Sequence, residues 1–189
     1  MVALPKANMV VPEFLVWWEK QGDDARFELV DGVAYAMGRD RIRHNDAKMR
    51  AVTALQNAIR TAKVDCRAYT DGIGVSPDSR NYRLPDASVN SGQVDPEAYI
   101  LPNPIVVVEI VSPSSEARDV HEKMIDYFAI KSVCHYIIVF EDRGCVVHHR
   151  RKNAAEKVET TFVTSGEIEL TPPGIRISVS DLLQEDSGK

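Results

Sequence analysis

Three residues in this 189-residue chain could do chemistry together: Glu109, Asp86 and Lys123. Glu109 interrupts the aliphatic run IVVVEIV (105–111), which is continuous enough to be a buried central strand. An ionised carboxylate there is costly unless it is paired, hydrogen-bonded or bound to a metal. Asp86 follows Pro85 in RLPDASV (83–89); the proline marks a strand edge or bulge that re-aims the next side chain. Lys123 lies on a helical stretch, 116–131, whose Val120, Met124, Tyr127 and Phe128 point inward. It borders that inward stripe, or pairs with Asp119 one turn earlier. Two carboxylates and an ammonium are the groups that hold a hard divalent cation and offset charge on a phosphate.

The elements that must position these residues follow from pattern. PEFLVWWEK (12–20) starts with proline, keeps Phe14, Leu15 and Trp18 on one face and stops at Gly22, which predicts a helix. RFELV (26–30) and VAYAM (33–37) flank Asp31-Gly32, a hairpin signal. From about 45 to 63, Ala47, Ala51, Leu55, Ala58, Ile59 and Ala62 recur at helical spacing. CRAYT (66–70) and RLPDASV (83–89) read as a second hairpin across a Gly72/Gly74 break. Ser112–Ser115 is a loop in which Ser112 and Ser114 cap the next helix. HYIIVF (135–140) and CVVHHR (145–150) form a further hairpin, with His148 and His149 on opposite faces and at the surface. Strands are expected near 158–164 and 167–170, then a frayed tail. This order predicts one α/β domain over 1–189: a mixed central sheet flanked by helices, with its core at about 12–150 and C-terminal strands in 151–183.

Composition narrows the function classes. Hydrophobic residues are 44% and charged residues 27%, which excludes disordered and membrane-spanning compositions. Three widely spaced cysteines without CxxC geometry argue against a disulfide framework or a thiolate zinc site, and point to a reducing cytoplasm. No targeting segment or membrane span is expected. The net charge of −5 excludes a uniformly basic DNA-coating protein, but residues 39–67 carry eight basic and three acidic side chains. Arg41, Arg43, His44 and Lys48 of that segment are candidates for contacting a phosphate backbone.

Together these motifs resemble the PD-(D/E)XK nuclease superfamily, in particular its Uma-two branch of restriction-endonuclease-type proteins. The resemblance runs through FELVDG (27–32), RHND (43–46), LPDASV (84–89), VVVEIVSPSS (106–115), DVHEKMIDY (119–127) and HYIIV (135–139). It implies a restriction-endonuclease-like α/β core that hydrolyses nucleic-acid phosphodiesters with a divalent metal. Asp86 then matches the aspartate of the PD pair and Glu109 the acidic residue of (D/E)XK. The lysine place two residues after Glu109 holds Val111, and the resemblance implies migration of that lysine to the following helix, at Lys123. Glu28 matches a further acidic position, an auxiliary metal ligand or the partner that holds Lys123.

The residue types suit that chemistry on their own terms. Mg²⁺ or Mn²⁺ would take Asp86, Glu109 and the Ile110 carbonyl, with waters completing the shell. DNA is the expected partner, and a homodimer the expected assembly, because one small nuclease unit cuts one strand. A non-catalytic nucleic-acid-binding or dimerising module that retains the fold is the alternative.

Overall fold

The computed structural model describes residues 8–22, 25–111, 119–152 and 157–183, without the side chains of Asp119 and Val120. The expected Ser112 and Ser114 caps and the Asp119–Lys123 pair lie outside the described residues. In chain order the elements are α1 (Val11–Trp18), β1 (Phe27–Val30), β2 (Val33–Ala36), α2 (Ile42–Ala62), β3 (Cys66–Thr70), β4 (Val75–Asp78), β5 (Asn81–Arg83), β6 (Ala87–Ser91), β7 (Pro104–Val111) and α3 (Asp119–Ala129). They continue as β8 (His135–Phe140), β9 (Cys145–Lys152), β10 (Lys157–Val163), β11 (Glu167–Leu170), β12 (Ile175–Ser178) and α4 (Val179–Leu182).

The β-branched run of β7 is buried along its whole length, because strands pair on both its sides and helices cover both its faces. It sits inside a mixed six-stranded sheet of order β10-β9-β8-β7-β6-β3, parallel only between β7 and β8. Side chains alternate across a strand. Val106, Val108 and Ile110 therefore pack with Ala47, Ala51, Leu55 and Ile59 of α2, while Val107 and Val111 join Tyr127 of α3 on the opposite face. Glu109 belongs to the α3 face. Ala62, expected on the inward stripe of α2, is exposed at the end of that helix.

A second sheet, β2-β1-β5-β4, packs on α1 through Phe14, Leu29 and Tyr82. Its β1–β2 hairpin turns at Asp31 (φ 50°) and Gly32 (φ 79°), the positive-φ pair that an Asp-Gly turn supplies. The strands at 66–70 and 87–91 do pair, from Cys66↔Ser91 to Thr70↔Ala87, but β4 and β5 come between them in the chain. They were hidden because Val75-Ser76-Pro77-Asp78 reads as loop; Pro77 is tolerated because β4 is an edge strand. Gly74 is a close approach, since a Cβ there would run into the Tyr82 ring. Beyond β11, β12 and α4 are likewise additions to the expected pattern. Among the described residues no helix is long and apolar enough to cross a membrane.

His148 and His149 are not at the surface: each is 8% exposed, because β9 lies between β8 and β10 with both faces covered. His149 stacks on Tyr136, with its Nδ1 2.8 Å from Thr160 Oγ1. His135 Nε2 lies 3.0 Å from the Pro172 carbonyl, and its Nδ1 2.9 Å from His148 Nε2. A carbonyl only accepts, so neutral His135 donates from Nε2 and accepts at Nδ1 from His148. Burial, reinforced by neighbouring cationic groups, pushes both His135 and His148 down to about 4. The unfolded chain takes up these protons near the ordinary 6.5, before the folded chain does. The contribution is therefore present above about pH 6.5 and lost as pH falls toward 4. Urea unfolding should show a loss on the order of 1–3 kcal/mol over this window, and His148→Gln should flatten it. An unchanged slope in that variant would contradict the buried neutral pair.

Candidate active site

Pro85 ends the preceding segment and brings Asp86 to the mouth of β6, beside the C-terminal end of β7. Because Ala87 faces Val108, Asp86 stands next to Glu109 across the two strands. The Asp86 Oδ2 atom accepts the Ile110 backbone N–H at 2.7 Å. In extended backbone the N–H and carbonyl of one residue lie on the same side of the strand. The Ile110 carbonyl is thus on the Asp86 side of β7.

On the α3 face, Glu109 Oε1 accepts from Lys123 Nζ at 3.1 Å and from the Tyr127 hydroxyl. Lys123 and Tyr127 are one helical turn apart, so one side of α3 delivers both. Glu28 Oε1 from β1 lies 3.7 Å from Lys123 Nζ and accepts the Leu84 N–H at 3.0 Å. Arg83 bridges Glu28, at 3.1 Å, to Asp126 of α3, at 2.6–2.7 Å. Glu28, Arg83, Glu109 and Lys123 are each 7% exposed or less. Sequence reasoning missed Arg83 and Asp126, and read Tyr127 only as an inward aromatic. Its i, i+4 spacing from Lys123 was the available signal.

On the α2 side, Lys48 is buried rather than displayed. Its Nζ lies 2.9 Å from Asp86 Oδ1 and 2.8 Å from both Asp40 Oδ2 and Asp71 Oδ2. Arg26 also pairs with Asp71, and with Asp40 at 3.0 Å. His44, half-buried, has its Nε2 3.7 Å from both Asp86 Oδ1 and Asp40 Oδ1. Of the four candidate phosphate contacts, Arg41 and Arg43 are the two exposed to solvent, at the start of α2. Farther along, Arg50 is bound by Glu141. The basic segment is consequently not a continuous patch.

The two strand-end carboxylates are held in opposite electrostatic states. Burial acts to raise Asp86, but His44, Lys48 and the Ile110 N–H outweigh it and keep the carboxyl below its ordinary value. Glu109 is pushed up to about 7 by burial, with Asp86 and Glu28 adding to the effect against Lys123 and Tyr127. Asp86 beside His44 raises the imidazole in turn. Among the described residues no three His, Cys, Asp or Glu side chains converge as a ready metal cage. Asp86 and Glu109 stand on adjacent strands, and two carboxylates with a strand carbonyl are the donor types that a cation such as Mg²⁺ takes while it keeps several waters.

A mixed sheet with an Asp at the mouth of one strand and a Glu within its neighbour, backed by a helix-borne lysine, is the arrangement of a restriction-endonuclease-like protein. The chain belongs to the Uma2 family, described as "Putative restriction endonuclease", which matches residues 11–182. The uncharacterised protein slr1290 of Synechocystis sp. is 26% identical over 177 residues, or 93% of this chain and 91% of its own. The crystal structure of a putative nuclease belonging to DUF820 from Anabaena variabilis shares the fold. Its TM-score is 0.69 over 92% of this chain and 97% of that one, at 16% identity.

The raised Glu109 carboxyl has a measurable consequence. The folded chain keeps this proton up to about pH 7, whereas the unfolded chain releases it near 4.5. Raising the pH through that window therefore disfavours the folded state. The stability of Glu109→Gln relative to wild type should rise between pH 5 and 8, by on the order of 1–3 kcal/mol. A difference independent of pH would contradict the assignment.

Proposed function

We propose that the protein is a metal-dependent endonuclease that hydrolyses DNA phosphodiesters, with Mg²⁺ or Mn²⁺ held by Asp86, Glu109 and the Ile110 carbonyl. The observation that carries this reading is the pairing of a buried strand glutamate with Lys123, beside an aspartate already ionised by its surroundings. A bound divalent ion supplies a lowered pKa for its water and stabilises charge on the attacked phosphate. Glu109 must give up its proton to bind the ion, so affinity rises with pH through about 7. Lys123 contributes a compact positive charge for the phosphate oxygen or the attacking water, standing in for the lysine that Val111 replaces. Glu28 and Arg83 tie Lys123 and Asp126 of α3 to β1 and β5. Arg41 and Arg43 contact the DNA backbone at the approach to the site, and His44 lines it beside Asp86. Two copies assemble to cut both strands.

The test is cleavage of plasmid DNA with and without Mg²⁺ or Mn²⁺. Metal-dependent nicking or linearisation that disappears in Glu109→Ala and Asp86→Ala is the expected result. DNA binding with no cleavage under any metal would instead assign a non-catalytic nucleic-acid-binding module. Lys123→Ala should lower cleavage by about 10²-fold or more at saturating metal, with circular dichroism unchanged. Lys123→Arg should rescue it only in part, because a planar fork replaces a point charge. Wild-type cleavage by the alanine variant would remove Lys123 from the mechanism.

A further inference from the structure

Between α1 and the second sheet lies a cavity of about 270 Å³ that the chemistry described above does not use. Protein interiors are close-packed, with few voids larger than a water molecule, so an opening of this size is not a packing fault. Buried Tyr82 and Leu84 form part of its lining, with half-buried Leu15 and Trp18 of α1 and exposed Tyr99. The rings are fixed by contacts of their own. Trp18 Nε1 donates to the Ala25 carbonyl at 2.8 Å, and the Tyr82 hydroxyl donates to the Tyr99 carbonyl at 3.0 Å. Trp18 and Tyr82 stand 6.0 Å apart at 82°. The cavity is therefore preformed, apolar and aromatic, which is the character of a small-ligand site. Its size, just below the range of about 300–1,000 Å³ that drug-sized ligands occupy, suits a single planar ring system.

The lining also reaches the candidate active site. Arg26 and Asp71 both line the cavity and pair with each other. Asp71 Oδ2 lies 2.8 Å from Lys48 Nζ, and the same ammonium lies 2.9 Å from Asp86 Oδ1. Leu84, on the other side, stands two residues before Asp86 in the chain. We propose that this cavity receives one nucleobase of the substrate strand, unstacked beside the phosphate that is cleaved. This inference rests on the nuclease reading of Asp86 and Glu109. A base taken out of its stack is held between aromatic and apolar side chains, and every base offers a π-face to them. At the edge of the ring Asp71 accepts and Arg26 donates, which complements the donors and acceptors that a base edge carries. The carboxylates of Glu19 and Asp71 in the lining disfavour a phosphate as occupant. An aliphatic group would desolvate the Arg26–Asp71 pair without offering it a hydrogen bond. Holding the base fixes the strand, so that the adjoining phosphate is presented to the mouth of β6 and the end of β7.

The experiment is photocoupling of the full chain to oligodeoxynucleotides, single-stranded and duplex, that carry 5-iodouracil at every thymine position. Ca²⁺ replaces Mg²⁺ so that the strand is bound and not consumed. Near-ultraviolet light joins 5-iodouracil to an aromatic side chain in contact with it, and mass spectrometry identifies the residue. Trp18, Tyr82 or Tyr99 should be the residue coupled. Gly72 lines the cavity, and a Cβ placed on it meets no heavy atom within 4 Å, so Gly72→Phe fills the space without backbone strain. That variant should lose the coupling and bind the oligonucleotides about 10-fold more weakly, the scale of one base–aromatic stack. If it fails to fold, Tyr99→Ala replaces it, because the Tyr99 carbonyl and not its ring holds Tyr82; it should weaken binding several-fold. Tyr35→Ala, which removes an equally exposed ring outside the cavity, should change neither coupling nor binding. Coupling only to residues outside the cavity, or coupling to Trp18 unchanged in Gly72→Phe, would overturn the inference. Metal-dependent plasmid cleavage by wild type would leave the nuclease reading intact in that case. No binding of any oligonucleotide, with plasmid uncleaved under every metal, would overturn the reading and this inference together.

Discussion

The hydrogen bond from the Ile110 N–H to Asp86 Oδ2 is the contact on which the site is built. It anchors the mouth of β6 to the end of β7, where the strand register alone would leave Asp86 beyond the last pair, Ala87↔Val108. With that oxygen fixed, the other is presented to Lys48 and His44 of α2. Glu109, the adjacent β7 residue, projects to the opposite face and meets α3. One backbone amide thus fixes Asp86 against β7, while the two acidic residues of adjacent strands answer to different helices.

Burial makes this arrangement demanding. Six charged side chains, Glu28, Lys48, Arg83, Asp86, Glu109 and Lys123, are nearly excluded from solvent, and isolated buried charges of this kind would each cost several kcal/mol. They are tolerated because they form two opposed networks. Around Lys48, cations dominate the field at Asp86 and hold it ionised. Around Glu109, burial and two neighbouring carboxylates outweigh Lys123 and Tyr127, so the group holds its proton to about pH 7. The asymmetry separates a carboxylate that is ionised by its surroundings from one that keeps its proton to about pH 7. Under the proposed metal-dependent reading, a cation between them would relieve the repulsion that raises Glu109 and would couple metal affinity to proton release.

The central strand, the two long helices, the Asp31-Gly32 hairpin and the 135–150 hairpin were legible because each rests on local pattern: aliphatic continuity, helical spacing or turn chemistry. The placement of Asp86 and Glu109 on adjacent strands was legible only as two anomalies, a proline before an acid and an acid among valines. What local pattern could not show was pairing at long range. β4 and β5 were masked by Pro77 and by residues that read as turn. Lys48 looked like a phosphate contact on a basic helix because its three aspartates lie 8, 23 and 38 positions away in the chain. His148 and His149 looked like surface residues because burial of β9 depends on β10 and on the turn carrying Pro172.

The metal centre proposed at the end of β7 is tested most directly by anomalous diffraction from crystals soaked in Mn²⁺. The proposal predicts a single strong peak between the Asp86 and Glu109 carboxylates, within bonding distance of the Ile110 carbonyl. A protein that takes up Mn²⁺ elsewhere, with Glu109 still held by Lys123 and Tyr127 and no ion beside Asp86, would contradict it.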